Sequence, residues 1–520
     1  MDSESFKECG KTVVNYIADY MDNIRDRPVL STVEPGYLYK LVPPQAPVKG
    51  EDWKTVLSDV EKIIMPGITH WNSPQFHAFF PTGNSYASIV GDMLCNGLGC
   101  IGFSWITSPA CTELEVQVMN WFGKMLGLPK EFLNESEGPG GGVLQGSASE
   151  ATFVCLLAAK DRTTKRVKSL NPNMDINEIK AKLVAYTSDQ SNSSVEKAGL
   201  LGSMPMRLLK ANDDGQMTGP ILAKAIAEDM ANGLIPCYVV ATLGTTGTCA
   251  FDRLEELGPI CNENNIWLHV DAAYAGAAFV LPEYRHLMAG VHYVDSFDVN
   301  LHKWLLVNFD CSAMWVKDAT HMVDAFNVNR VYLKHDYQST DPQLPDYRHW
   351  QIPLGRRFRA LKMWFVLRLY GVEGLQAHIK KQVKLAKLFG KFVNDDSRFE
   401  VVTPVTMGLV CFRLKGDNEP TRDLYESLMR RGRVYMVTAT VQSQLVIRFV
   451  VCSRLTEIRD VEFAWNEIRE QADKITDTVT TAVTGNVDIT IASTITKTGG
   501  ITDVWNEEEE HVVVKSLTHG

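Results

Sequence analysis

Five short apolar runs through the middle of the chain constrain its fold more than any other feature. They are 182–187 (KLVAYT), 237–242 (CYVVAT), 266–271 (IWLHVD), 296–300 (SFDVN) and 312–316 (SAMWV). Their β-branched and aromatic content, with helical stretches between them, predicts an α/β fold built on a large, mostly parallel sheet covered on both faces. Ligands of such sheets collect beyond the carboxyl ends of the strands. Asp271, Asn300 and Lys303 fall there.

The remaining chain divides around this core. Residues 1–85 read as an arm. Phe6, Cys9, Val13, Tyr16, Ile17, Tyr20 and Ile24 recur at helical spacing, and Pro28, Pro35, Pro43, Pro44 and Pro47 then impose an extended stretch. Such an arm packs on another subunit or folds back on its own core, and the former is expected here. The large domain spans 86–355. From Arg356 a long helical region leads into strand-like runs at 399–402, 408–414 and 445–450, which predict a smaller α+β domain over 356–475. From 476 to 520 the sequence is rich in Thr and Val, lacks core periodicity and reads as a poorly ordered tail. Its acidic run at 507–510, beside His511, is expected to be a solvated charge run and not a metal site.

A net charge of −10 argues against nucleic acid as a partner, because phosphate neutralisation needs clustered Lys and Arg. No apolar run is long enough to span a bilayer, and Met1-Asp2-Ser3-Glu4-Ser5 has no apolar signal core, so a cytoplasmic protein without a membrane partner is expected. The 11 cysteines are scattered without a CxxC pair. Free thiols, with no metal, are the expectation.

The strongest local signal is Asn300-Leu301-His302-Lys303-Trp304. A lysine after a buried strand, flanked by apolar residues, is desolvated, and desolvation makes its amine nucleophilic toward an aldehyde. Upstream, the strand ending Trp267-Leu268-His269-Val270-Asp271 delivers a carboxylate to the same edge, suited to pair with a pyridinium nitrogen. Asp271 could equally cap a turn. Ala273 is small enough for a flat ring to lie against the backbone. Gly146-Ser147-Ala148-Ser149-Glu150 opens a helix with a capping-box pattern, and the free N–H groups of such a start form an anion site. Thr246 and His302 complete a phosphate cradle. The preceding run 138–142 (GPGGG) is not a dinucleotide fingerprint and is expected to be a loop.

Anion site, ring-nitrogen carboxylate and Schiff-base lysine together resemble the fold-type I pyridoxal-phosphate enzymes. More specifically the chain resembles the group II aromatic L-amino-acid decarboxylases. The matching stretches are FSWITSPACTELE (103–115), GGGVLQGSASEAT (140–152), DAAYAG (271–276), HKWLLVNFDCSAMWV (302–316) and DYRHWQIPLGRRFR (346–359), and the resemblance extends from residue 1 to about 475. It implies that Lys303 holds pyridoxal 5'-phosphate as a Schiff base and that Asp271 pairs with the pyridinium nitrogen. It places Ser147, Ala148, Ser149, Thr246, Asn300 and His302 around the phosphate and its approaches. Trp71, Phe80, Pro81, Thr82, Ile101 and Phe103 would line the aromatic side-chain pocket, with Ile101 and Phe103 supplied by the neighbouring subunit of a homodimer. Tyr332 would act from a loop, 330–335, that closes over the site. Read without the resemblance, Trp71, Phe80 and Phe103 fit a hydrophobic core equally well.

One position departs from this pattern. The family reads Ser-Asp-Gln-Ala-His-Ser-Ser-Val-Glu, whereas this chain has Ser188-Asp189-Gln190-Ser191-Asn192-Ser193-Ser194-Val195-Glu196. Asn192 stands where the family places a histidine stacked on the open face of the cofactor. Asparagine is neither aromatic nor titratable, so the face is less shielded and an imidazole is lost from proton transfer. The same asparagine marks the insect aromatic acetaldehyde synthases. Their resemblance implies L-DOPA as substrate, O₂ as co-substrate, and 3,4-dihydroxyphenylacetaldehyde, CO₂, NH₃ and H₂O₂ as products. An ordinary decarboxylase forming dopamine is the alternative, and the retained Tyr332 favours some amine.

Overall fold

A computed structural model of the chain describes residues 1–328 and 344–491. The five expected strands all form. With two more they make a seven-stranded sheet: β1 (Gly141–Gln145), β2 (Leu183–Ser188), β3 (Met206–Leu209), β4 (Ile235–Thr242), β5 (Trp267–Asp271), β6 (Ser296–Asn300) and β7 (Ser312–Val316), in the order β1-β7-β6-β5-β4-β2-β3. All pairs from β6 to β3 are parallel, and β7 alone runs the other way, antiparallel to both β6 and β1. Both faces are buried. Along β4, Val239 and Ala241 join one apolar cluster while Tyr238 and Val240 join another. That two-sided burial is why these strands read as unbroken apolar runs.

The glycine-rich run 138–142 is a loop only in part, because β1 begins at Gly141. A Cβ on Gly142 would lie 2.6 Å from Met119 and 2.8 Å from the Trp315 ring. Glycine here serves close packing within a strand, which composition cannot distinguish from a turn.

A second, antiparallel sheet of four strands comprises β8 (Phe399–Val401), β9 (Leu409–Leu414), β10 (Val437–Val441) and β11 (Gln444–Val450), ordered β10-β11-β9-β8. Three of these match the expected runs. β10 was not expected, because its hairpin turns on Gln442 and Ser443, at φ 48° and 68°, without the glycine that signals such turns. The long helix Arg359–Asp395 breaks at Gly371, whose φ of 65° and ψ of 178° are not helical.

The N-terminal helix, Ser3–Asp22, starts at Asp2, whose side chain accepts from the Ser5 N–H. Beyond the prolines the arm folds back on its own chain: Phe76 bridges to Tyr435, and His77 donates its N–H to the Tyr435 carbonyl at 2.8 Å. Met1–Gln471 forms one compact unit and Ala472–Gly520 a second. The helix Ile458–Ile491 continues past Thr476, against the expectation of an unstructured tail from that point. Thr and Val lower helix propensity by less than about 0.7 kcal/mol each, so composition alone does not end a helix. Residues 492–520 lie outside the described residues.

Candidate active site

The carboxyl ends of β1, β4, β5 and β6 share one edge, and a cavity of about 130 Å³ opens there. Phe80, Ser147, Ala148, Ser149, Asn192, Thr246, Asp271, Ala273, Asn300 and Lys303 line it, all of them residues singled out in the sequence. Four further lining residues were not: Ser194, Thr242, Gly244 and Tyr274. Gly244 has φ 93°, and a Cβ there would sit 2.5 Å from Ala275, so only glycine fits this turn of the wall.

Local sequence explains how the walls are set. β1 ends at Gln145 and passes directly into the helix Ala148–Leu170, whose N-cap Ser147 accepts the Glu150 N–H at 3.3 Å. Asn300, at the end of β6, accepts the Ala148 N–H at 3.1 Å and so ties the helix start to the lysine-bearing segment. Helix N-terminus, Asn300 and Thr246 thus converge on one side of the cavity, as a phosphate requires. Across it, Asp271 ends β5 and anchors its Oδ1 on the Ala273 N–H at 3.0 Å. Lys303 follows β6 on the short helical turn Leu301–Trp304.

Burial lowers the Lys303 amine below the usual lysine range, and the charges of Asp271 and Asp298 partly oppose this. The result is an amine biased toward its nucleophilic form. Burial likewise holds His302 neutral, down to about 4, with Lys303 adding to the shift. The Cys311 N–H donates to His302 Nδ1 at 2.9 Å, which leaves the ring proton on Nε2. His302 does not line the cavity but neighbours Lys303.

Asp298 escaped the sequence reading. It pairs in register with Asp271 on the adjacent strand and is fully buried, 3.2 Å from His269 Nε2. Burial raises it well above the usual carboxylate range, with Asp271 adding and Lys303 opposing. Strand alternation held the signal, since Ser296, Asp298 and Asn300 share one face of β6.

Asn192 uses both ends of its amide. Nδ2 donates to Thr246 Oγ1 at 3.0 Å, and Oδ1 accepts the Ser194 N–H at 3.0 Å, capping the helix Ser193–Leu201. Phe80 stacks on Tyr274 with centroids 3.6 Å apart, and Tyr274 on Trp304 at 4.8 Å. Arg448 fastens this wall. Its guanidinium lies 5.1 Å from the Phe80 ring centroid and donates to the carbonyls of Gly247 (3.0 Å) and Phe79 (3.4 Å).

The other expected pocket residues lie apart from the cavity lining. Pro81 and Thr82 lead into Gly83, whose N–H donates to the His302 carbonyl at 2.8 Å. Trp71 stacks on Phe76 and Phe79. Ile101 is 56% exposed, and Phe103 accepts the Arg348 N–H at 3.2 Å. Tyr332 and the loop 330–335 lie outside the described residues.

Comparison with known proteins gives the family. The model of the pyridoxal-dependent decarboxylase conserved domain matches residues 35–415. An aromatic-L-amino-acid decarboxylase of Drosophila simulans is 57% identical over 475 residues, covering 91% of this chain and 92% of the relative. A 3,4-dihydroxyphenylacetaldehyde synthase of Aedes aegypti is 54% identical over 473 residues, covering 91% and 90%. The solved structure of Oryza sativa TDC with PLP and tryptamine superposes with a TM-score of 0.88 at 36% identity, covering 91% of this chain and 99% of that one. With a lysine, a carboxylate and a helix start placed at one strand edge, and relatives this close along nine-tenths of its length, the chain belongs to the pyridoxal-dependent decarboxylases, in the group II aromatic L-amino-acid family.

Proposed function

We propose that this site converts L-DOPA, O₂ and water to 3,4-dihydroxyphenylacetaldehyde, CO₂, NH₃ and H₂O₂. The observation that carries this reading is Asn192, an amide on the cavity wall where the family's pattern has an imidazole. Pyridoxal phosphate, when bound, supplies the electron sink for loss of CO₂ from the α-carbon. Lys303 would hold it, Asp271 would keep its ring nitrogen protonated, Ser147, Ala148, Ser149, Thr246 and Asn300 would hold its phosphate, and His302 would stand behind the cavity wall at the approach to it. The product is decided by what meets the electron pair left on the α-carbon. A proton gives the amine, whereas transfer to O₂ followed by hydrolysis gives the aldehyde.

Asn192 works toward the second outcome in two ways. Its amide offers no titratable proton, and its bonds to Thr246 and Ser194 hold it against the wall. A flat aromatic surface at Phe80 and Tyr274 suits a catechol ring. Tyr332, retained in the sequence, would still deliver some protons and so some dopamine. Amine formation as the main reaction is the second reading. The somewhat higher identity to the Drosophila decarboxylase favours it. Incubation of the holoenzyme with L-DOPA separates the two. We expect peroxide, ammonia and O₂ consumption in step with CO₂, and stoichiometric dopamine without peroxide would overturn the proposal.

The functional unit proposed is a homodimer. The helix Tyr86–Leu98 leaves Tyr86, Val90, Met93, Leu94 and Leu98 between 42% and 65% exposed along one face, and Ile101 continues the patch. An apolar surface of this kind marks an interface. A second copy seated there would bring its Ile101 and Phe103 toward the site. Leu94→Asp is expected to convert the dimer to monomer in sedimentation and to lose activity with it; a monomeric wild type would refute the assignment. A cytoplasmic location belongs to the same reading, in keeping with eleven unpaired cysteines. Among the described residues no helix is long and apolar enough to cross a membrane.

A further inference from the structure

Cys100 and Cys111 stand out among the thiols. Their Sγ atoms lie 3.4 Å apart, Cys100 half-buried on the loop after the Tyr86–Leu98 helix and Cys111 buried in the first turn of the Pro109–Leu126 helix. The loop between them is tightly seated. A Cβ on Gly102 would lie 2.4 Å from Cys111 Cβ, and the Gly102 N–H donates to the Arg356 carbonyl at 3.3 Å. Phe103 is held in turn by the Arg348 N–H. Thiols brought together by such a clamp need only a small shift to bond, and that shift is transmitted to Ile101 and Phe103.

We propose that Cys100 and Cys111 form a peroxide-responsive dithiol that closes to a disulfide and moves the Ile101–Phe103 loop. Cys100 is half-buried and Cys111 buried, so Cys100 is the thiol that peroxide reaches and the attacking group, and burial pushes the Cys111 thiol up to about 12. Its thiolate attacks one oxygen of H₂O₂, the O–O bond breaks and hydroxide leaves, giving Cys100 sulfenic acid. The Cys111 sulfur then attacks that sulfur and displaces its hydroxyl. With the two thiol protons, the balance is two thiols plus H₂O₂ giving one disulfide and two waters. The sulfurs are oxidised by two electrons and the peroxide is reduced by two. If the aldehyde-forming reaction proposed above operates, the oxidant is its own product. The dithiol chemistry itself does not rest on that reaction.

The test adds H₂O₂ to the dimeric holoenzyme, blocks remaining thiols with N-ethylmaleimide, and digests without reductant using chymotrypsin, which cuts between the two cysteines at Phe103 and Trp105. We expect a cross-linked Cys100–Cys111 peptide, two fewer free thiols per chain, and recovery with dithiothreitol. A displaced pocket wall predicts a loss of kcat/KM of about tenfold, within the range for sub-ångström misplacement of a binding group. Cys111→Ser should instead trap Cys100 as a dimedone adduct, and Cys100→Ser should retain its activity under the same peroxide. Peroxide that oxidises other cysteines first, or that leaves both of these alkylated, overturns the proposal. Because the peroxide is added, this result stands apart from which product L-DOPA yields.

Discussion

Lys303→Ala is expected to abolish the visible absorbance of the bound cofactor and to lower decarboxylation by about 10⁴-fold or more, the scale set by losing a group that bonds covalently to the reacting system. The apolar flank of β6 and the Phe80–Tyr274–Trp304 stack bury the amine, and among the described residues no other lysine lines the cavity. Titration of apo-protein with pyridoxal phosphate gives a second readout. Only the neutral amine attacks an aldehyde, so the rate of band formation rises with pH through the Lys303 pKa. Burial lowers that pKa below the ordinary 10.5, which moves the midpoint of the rise to lower pH. A midpoint at the ordinary value would show that the amine is solvated and the site built differently. A variant that kept its absorbance would favour a binding protein on the same scaffold, one that never bonds to the cofactor through this residue.

Asn192→His is expected to shift the product from aldehyde toward dopamine by about tenfold or more in ratio, which takes only ~1.4 kcal/mol of difference between the two barriers. The added ring covers the open face of the cavity and restores a group able to carry a proton. Product ratio, read as dopamine against peroxide, is the measurement. The substitution also removes the cap on the Ser193–Leu201 helix, a loss of about 1 kcal/mol, so some stability falls with it. Asn192→Asp separates these effects. It keeps a capping oxygen without supplying a ring, and the aldehyde should persist. An unchanged ratio in the histidine variant would remove Asn192 from the choice of product.

The fold was legible where burial is two-sided. β2, β4, β5, β6 and β7 announce themselves as apolar runs because each faces a helix layer on both sides. β3 lies at the sheet edge with partial burial and β10 turns without glycine, so neither carries that signature. β1 hid behind its glycines, which pack against Met119 and Trp315 and do not mark a turn. The second sheet was visible as separate strands, while its junction with the arm through Phe76 and Tyr435 joins residues far apart in sequence.

The site divides in the same way. Lys303, Asp271 and Ser147 could be named because each stands beside its own strand end or helix start, a local arrangement that short-range pattern encodes. That Asn192 reaches Thr246, that Arg448 braces Phe79 and Gly247, and that Asp298 sits in register beside Asp271 are facts of tertiary structure alone. Each depends on bringing together backbone segments that sequence separation leaves unconnected, and strand order sets that. Sequence by itself thus determined the groups available: an amine, a carboxylate, a helix start and one unusual amide. Tertiary structure decided which second acid is buried beside Asp271, which amide hydrogen bonds are already spent, and which two thiols lie within reach of each other. These properties follow from distance and burial in three dimensions.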